Sequence, residues 1–451
     1  MINHSAQELA IRLRRLTPRE VFTFCVALDM LLVLIWIAKD DSAGFSFLFD
    51  FPTDNHDTFM DYFNSVYRWR GNPIDGTYTS IYPPLTELGY VVLSKMLTPA
   101  NSVGPFDLRA GHSYSTIITF SCTFIECVLY LSCAIVIHEI LSSRGEDNKT
   151  LSWLTTGAVL MTLPFVYALE RGNSIIVCFL AILIFLWAYG HEGRAWREVA
   201  CISIAVAANI KVYPAVFLGM YLADRRFKEF WKAVLYSAVL FVVPFAAFGG
   251  FQSFLDMINN LFFETSNTMR QGFGQKVGLA NLISFFLNAV QGTADFRFPN
   301  GVAVILLVAL DLLVIILRVR SSKNENGGTV GQNTWRLALI LGSSITLMPS
   351  FSYIYNGLFT LPGIVLLISD YDAIAKKQAW VLLCACLMTV LVIPFTAADI
   401  TPSMTAAGQY IYPVNATHLM ASIGYCVIYA AVLRGEVHDC QTKRERRKAT
   451  N

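Results

Sequence analysis

The sequence is poor in charge. Asp, Glu, Lys and Arg make up 15% of the 451 residues, whereas hydrophobic residues make up 55%; soluble domains carry about 25% charged residues. The mean hydropathy is +0.51. This balance excludes an ordinary soluble protein and indicates a polytopic membrane protein. The net charge is only +2 and the basic residues fall in short, scattered clusters, which excludes a nucleic-acid-binding surface.

Cysteine and nucleotide-binding patterns are missing as well. Nine of the ten cysteines lie in apolar runs and Cys440 lies in the C-terminal tail, so neither a disulfide framework nor a zinc site is indicated. The Gly-rich stretch TMRQGFGQKVG does not match a phosphate-binding loop, and no strand precedes it. We therefore expect no cofactor and no protein-bound metal site, and the sequence leaves a divalent metal open.

Apolar runs of the length needed to cross ~30 Å of hydrocarbon recur along the chain. No small-residue cleavage pattern follows the first run, so we expect it to stay as an anchor. A further segment, 196–222, is flanked by basic residues at both ends and should enter and return, with a break at 211–214. Counted as two spans, this hairpin gives about twelve transmembrane helices, the other ten lying near 20–38, 113–137, 152–169, 174–190, 231–249, 300–317, 335–349, 355–369, 378–396 and 417–433.

The distribution of Lys and Arg predicts the orientation. With both termini in the cytoplasm, most of the basic residues fall in cytoplasmic segments, including the basic tail 435–451. The chain then forms a single integral membrane domain of 1–451, in the cell membrane. It has a large extracytoplasmic loop between the first two spans, 39–112, and a second long loop at 250–299.

Polar residues from distant parts of the chain share the extracytoplasmic side of this topology. They are Asp54, His56, Asp57, Asp61, Arg171, Asn173, Lys211, Tyr213, Arg270, Lys276, Ser352, Tyr355 and Asn356. A carboxylate in a partly dry cleft can take a proton from an attacking hydroxyl, and cations at the hydrocarbon edge can hold a leaving phosphate. The pattern favours group transfer from a lipid phosphate.

Five stretches in a fixed order carry a family resemblance. Asp57 precedes Gly71 by fourteen residues; then come SIYPPLTELGY, ERGNSIIVCFLAILIFL, AANIKVYPAVFLGMYLADRRFK and MPSFSYIYNGLFTLPGIVLL. Over roughly residues 20–370 the chain resembles glycosyltransferase family 87, a GT-C family of polyprenyl-phosphate-sugar-dependent mannosyl- and arabinosyltransferases. The resemblance implies an all-helical membrane fold, a catalytic aspartate in the first outer loop, and a polyprenyl-phosphate-linked sugar as donor.

Carried over residue by residue, the family aspartate falls on Asp57, and Asp61 is the rival because MDYF also places aromatic residues after an aspartate. The cations proposed to hold the donor phosphate are Lys211, Arg171, Arg270 and Lys276. The residues proposed to bind substrate are Asn173, Tyr82, Tyr213, Ser352, Tyr355 and Asn356. Family members often have histidine in the late outer turn, where this chain reads PSFSYIYN.

Each of these assignments has a structural alternative. Asp57 or Asp61 would be an N-cap or a solvated loop residue, Lys211 would snorkel to the headgroups, and Asn173 would cap the following helix. The loop holding Arg270 and Lys276 would have no special role. Asp29 and Asp311, inside spans, suggest helix–helix hydrogen bonding or, as the second choice, proton coupling.

The function also has alternatives. The preferred interpretation is an inverting glycosyltransferase that moves a mannose- or arabinose-like sugar from a polyprenyl-phosphate donor to an envelope glycolipid or polysaccharide. A secondary transporter or lipid-linked glycan flippase would also have many spans, but it should place its charges near the midplane and have short outer loops. A non-catalytic envelope assembly subunit would not need matched carboxylates and cations.

Overall fold

The computed structural model describes residues 16–39, 58–71, 77–97, 116–143, 148–268, 276–292, 296–322, 334–349, 352–370, 376–394, 403–404, 410–411 and 415–450. These residues are helical apart from turns, short extended segments and one two-residue antiparallel ladder, in which β1 (Ser403–Met404) pairs with β2 (Tyr410–Ile411). The expectation of an all-helical fold is thus confirmed for the bulk of the chain.

The α-helices are α1 (Pro18–Lys39), α2 (Met60–Gly71), α3 (Pro84–Leu97), α4 (Thr116–Ser143), α5 (Lys149–Leu160), α6 (Leu163–Arg171), α7 (Ile175–Tyr189), α8 (Arg194–Ile210), α9 (Gly219–Ala223), α10 (Phe227–Val242), α11 (Phe251–Thr268), α12 (Leu279–Gln291), α13 (Asn300–Ser322), α14 (Thr334–Leu347), α15 (Leu361–Ser369), α16 (Lys376–Val390) and α17 (Ala416–Thr450). Among the described residues, three 3₁₀ segments lead into or out of these helices: Tyr213–Leu218, Val243–Phe248 and Ile354–Phe359.

Five helices among the described residues are long and apolar enough to cross a membrane: Pro18–Lys39, Thr119–Ser143, Phe227–Phe248, Asn300–Arg320 and Ala416–Thr442. The bent pair α5 and α6, with 56° between its halves, would make a sixth. The expected count of about twelve is not confirmed. Several predicted spans form shorter helices instead; Ile175–Tyr189, for example, has 15 residues, fewer than the ~20 that a crossing needs.

The hairpin predicted at 196–222 shows its break where the sequence placed it. Helix α8 ends at Ile210 and the backbone of Lys211 is extended. The chain returns along α8, since the Cys201 sulfur lies 3.6 Å from the Tyr221 hydroxyl. The returning arm is a 3₁₀ segment followed by the five-residue helix α9, which is too short for a full crossing.

Helix α14 is the centre of the fold, and every one of its residues is buried. It packs backbone to backbone against the following segment: a methyl group at Gly342 would lie 2.2 Å from the Phe359 carbonyl oxygen, and one at Gly363 would lie 2.6 Å from the Leu339 nitrogen. This contact leaves no room for a side chain and fixes the turn at 352–356 relative to the core.

The two aspartates inside spans make hydrogen bonds to other segments of the chain. Asp29 on α1 accepts from the backbone nitrogen of Val392 at 2.9 Å. Asp311 on α13 accepts from the Ser344 hydroxyl on α14 at 2.7 Å and from the Tyr429 hydroxyl on α17. Both geometries suit the structural interpretation of these residues, because buried polar groups need hydrogen-bond partners.

Candidate active site

Asp61 lies in the first turn of α2, against the turn that joins α6 to α7. One carboxylate oxygen accepts from the Arg171 guanidinium at 2.7 Å, and the other accepts from the Asn173 amide at 2.6 Å. The side chain keeps 20% of its surface exposed. Two donors hold the carboxylate in one orientation, and each oxygen retains a lone pair for another hydroxyl.

Gly172 explains why the arginine and the asparagine flank a glycine. Its φ is +60°, a left-handed conformation that glycine adopts without strain. A methyl group there would lie 2.9 Å from Cβ of Tyr62 and 3.3 Å from Cα of Phe59. The residue therefore lets α2 approach the turn closely, so that Arg171 and Asn173 both reach Asp61.

Asn173 also bonds to the start of the following helix, as its structural alternative predicted. Its side-chain oxygen accepts from the backbone nitrogen of Ile175 at 2.9 Å, at the start of α7, while its amide nitrogen donates to Asp61. The same side chain thus caps a helix and orients a carboxylate, so the two interpretations are compatible.

Lys211 lies at the break after α8, with its ammonium 4.1 Å from the centre of the Tyr82 ring. In the part of the chain that the structure describes, no carboxylate forms an ion pair with it. The ring face orients the ammonium by a cation–π contact and leaves its N–H groups available to an anion. Tyr213 is partly exposed and lies close enough to Tyr82 to interact electrostatically.

Tyr355 lies near Asp61 and Tyr82. Its hydroxyl interacts electrostatically with Asp61, Tyr82 and Arg171. Its ring stacks on Tyr167, with centroids 5.7 Å apart and an interplanar angle of 29°, and packs against Tyr353. The structure thus gathers Asp61, Arg171, Asn173, Tyr82, Lys211, Tyr213 and Tyr355 in one region, lined largely by aromatic rings.

Ser352 and Asn356 are buried behind this region. The Ser352 hydroxyl donates to the carbonyl oxygen of Thr346 at 2.8 Å and accepts from the Asn356 amide at 2.9 Å. The Ser352 carbonyl accepts from the backbone nitrogen of Val277 at 2.8 Å. The structure thus places both side chains in the framework of the turn that carries Tyr355.

Lys276 lines a small pocket and is only 6% exposed. The pocket is lined by Lys276, Asn281, Leu282, Phe285, Asn415, His418, Leu419 and Ser422. Burial lowers the pKa of the Lys276 ammonium to about 7, and the nearby Arg297 acts in the same direction. An anion bound beside this lysine would raise that pKa by favouring the charged form.

Asp57 and Arg270 lie outside the described residues. Within the described ranges no group of three or more His, Cys, Asp and Glu side chains has the arrangement of a metal site.

The framework of the site also includes Glu87, which the sequence patterns did not single out. Glu87, on α3, is fully buried and accepts hydrogen bonds from Arg68, Trp69 and Ser80. Its signal was a carboxylate on the otherwise apolar helix PLTELGYVV, directly after the Tyr-Pro-Pro sequence. A glutamate at such a position is rarely buried unless it is paired.

Comparison with protein-family models identifies the family of the chain. The model of glycosyltransferase family 87 matches residues 81–342, which is more than half of the chain and contains Tyr82, Arg171, Asn173 and Lys211. A search of curated proteins finds no significant match. An all-helical fold with membrane-spanning helices is what the GT-C superfamily, which includes this family, requires. The chain therefore belongs to glycosyltransferase family 87 and is a membrane glycosyltransferase.

Proposed function

We propose that this glycosyltransferase is an inverting enzyme that takes a mannose- or arabinose-like sugar from a polyprenyl-phosphate donor and transfers it to an envelope glycolipid or polysaccharide. The observation that carries the proposal is the pair formed by an oriented carboxylate, Asp61, and a lysine with no carboxylate partner among the described residues, Lys211. The carboxylate would take the proton of the acceptor hydroxyl, and the lysine would stabilise the departing phosphate.

The donor end of the reaction is assigned to Lys211. It lies at a break between helical segments, where unwound backbone and a cation can face an anionic group near the membrane. Its ammonium would hold the donor phosphate and stabilise the charge that grows on it as the bond to the sugar breaks. Polyprenyl phosphate then leaves with that charge. Arg270 and Lys276 are proposed as secondary phosphate contacts from the second long loop.

The acceptor end is assigned to Asp61, with Asp57 as the alternative base. The carboxylate would accept the proton of the acceptor hydroxyl as its oxygen forms a bond to the anomeric carbon on the face opposite the phosphate. Arg171, proposed from the sequence as a phosphate ligand, pairs with Asp61, so its part in this mechanism includes orienting the base. Tyr82, Tyr213 and Tyr355 would contact the sugar rings. Asn173 would act through Asp61, and Ser352 and Asn356 through the turn that carries Tyr355.

Replacing Lys211 with methionine tests the phosphate contact. The change keeps most of the side-chain length and removes the charge, so affinity for decaprenyl phosphate should fall about tenfold or more, because one charge-assisted hydrogen bond is lost. The matched control is Lys232→Met, which removes the same charge from α10, where Lys232 pairs with Glu198. Equal affinities of the two variants for decaprenyl phosphate would assign Lys211 to snorkelling.

The site is proposed to face the extracytoplasmic side of the cell membrane, with both termini in the cytoplasm. A cysteine placed at Asn64, on α2 beside Asp61, should then react with a membrane-impermeant thiol reagent added to intact cells. A cysteine at Asn326, in the predicted cytoplasmic loop, should react only after the cells are opened. The reverse pattern would place the site in the cytoplasm and rule out a donor in the outer leaflet.

A further inference from the structure

The network around Glu87 is a buried polar cluster that the mechanism above does not use. The carboxylate has no exposed surface. It accepts from the Ser80 hydroxyl at 2.5 Å, from the Arg68 guanidinium at 3.2 Å, and from the Trp69 indole nitrogen. Three donors on two segments of the first loop thus converge on one carboxylate, which compensates for the burial of its charge.

Ser80 connects this carboxylate to Tyr82. Besides donating to Glu87, the Ser80 oxygen accepts from the backbone nitrogen of Tyr82 at 3.0 Å and from Arg68 at 2.9 Å. The Tyr82 carbonyl accepts from the Tyr78 hydroxyl at 2.8 Å. The backbone of Tyr82 is therefore held on its nitrogen side and on its oxygen side.

The neighbouring residues restrict the same turn further. Pro83 and Pro84 follow Tyr82, and Pro84 begins α3, where proline's fixed φ suits the first helical position. On the other side, the α11 residues Asp256 and Asn260 bond the backbone of Tyr78, at 3.2 Å to its nitrogen and 2.6 Å to its oxygen. The position of the Tyr82 ring thus depends on a set of contacts that meet at Ser80 and Glu87.

The ring held in this way is the one that faces Lys211. The ammonium-to-centroid distance is 4.1 Å, within the ~6 Å over which a cation–π contact orients a cation. A shift of the Tyr82 backbone would move the ring and release the lysine from that orientation.

We propose that Glu87 is a positioning residue of the donor-phosphate site: its buried carboxylate fixes the Ser80–Tyr82 turn and, through the Tyr82 ring, the direction in which Lys211 presents its ammonium. This inference rests on the proposed role of Lys211 as the phosphate ligand. Under this proposal the Glu87 carboxylate and the Tyr-Pro-Pro sequence contribute to binding of the donor phosphate as well as to folding.

The test is a double-mutant cycle with decaprenyl phosphate as the probe, because this lipid carries the phosphate whatever the sugar is. Glu87→Gln keeps the size of the side chain, but an amide has one acceptor oxygen for three donors. Affinity for decaprenyl phosphate should fall about fivefold to tenfold in the otherwise wild-type protein. In the Lys211→Met background the same change should have almost no effect, because the group through which it acts is gone.

Two further variants separate positioning from folding. Ser80→Ala removes the hydroxyl that joins Glu87 to Tyr82 with little change in volume, so it should weaken binding of the same lipid in the same direction even if Glu87→Gln fails to fold. Asp311→Asn disturbs another buried carboxylate, one bonded to Ser344 and Tyr429. It should lower thermal stability and leave the affinity for decaprenyl phosphate unchanged.

The outcomes that overturn the inference differ from those that overturn the proposed function. If Lys211→Met weakens binding and Glu87→Gln or Ser80→Ala weakens it by the same further factor in that background, Glu87 does not act through Lys211 and only the inference fails. The inference fails also if these two variants bind like the wild type. If Lys211→Met itself leaves affinity unchanged, the phosphate site of the proposed function is wrong, and the inference fails with it.

Discussion

Asp61→Asn should lower the rate of sugar transfer by ~100-fold or more, the usual contribution of a general base, while affinity for decaprenyl phosphate stays close to that of the wild type. The amide cannot accept the proton of the acceptor hydroxyl. It also presents an N–H group to one of two donors, Arg171 or Asn173, so one hydrogen bond of the site is lost. Turnover and lipid affinity, measured on the same purified preparation, separate chemistry from donor binding.

Asp57→Asn is the matched control, because Asp57 lies four residues earlier and is the other candidate base. We expect this variant to keep most of its activity. If Asp57→Asn is the inactive variant and Asp61→Asn is active, Asp57 is the base and Asp61 orients Arg171. Normal turnover by both single variants and by the double variant would show that this loop does not supply the base.

Gly172→Ala should have the second largest effect. Alanine is strained at a φ of +60°, by roughly 1 kcal/mol, and its methyl group would lie 2.9 Å from Cβ of Tyr62. The contact between α2 and the turn at 171–173 must open, so that Asp61 loses its position relative to Arg171 and Asn173. We expect at least a tenfold loss of turnover, because small displacements of catalytic groups are costly, together with a lower unfolding temperature.

Gly89→Ala is the control for this variant. Gly89 lies within α3, and a methyl group there would meet no atom within 4 Å. Alanine at a helical position is favoured over glycine by about 0.5–1 kcal/mol, so Gly89→Ala should keep its activity and its stability or gain slightly in stability. If Gly172→Ala behaves in the same way, the close approach of α2 to the turn has no part in the site.

Local sequence patterns predicted the parts of this molecule that depend on local chemistry. Apolar runs predicted the positions of α1 and α13. The order of the motifs indicated the family. The basic flanks and Pro214 predicted the break at Lys211. The predicted membrane sidedness grouped Asp61, Arg171 and Lys211, because polar residues on the same side of a bilayer are confined to the same surface.

Other features depend on tertiary packing or on details that hydropathy does not register, such as Pro164 at the start of α6. Hydropathy counts apolar residues without showing where a helix bends, so the 56° bend between α5 and α6 and the short helix α7 did not follow from it. The contact of Lys211 with Tyr82 joins residues from separate segments. Ser352 and Asn356 were polar enough to suggest substrate contacts, yet they bond to each other and to the end of α14.

The most direct test of the central claim is to follow both halves of a labelled donor. The purified protein, in liposomes with an envelope lipid and glycan extract, is given a panel of decaprenyl-phosphate sugars labelled in the sugar and in the lipid. We predict that one donor is cleaved, that free decaprenyl phosphate and glycosylated acceptor appear in equal amounts, and that Asp61→Asn lowers the yield of both. Labelled donor that crosses the bilayer intact, with no free decaprenyl phosphate formed from any member of the panel, would contradict it.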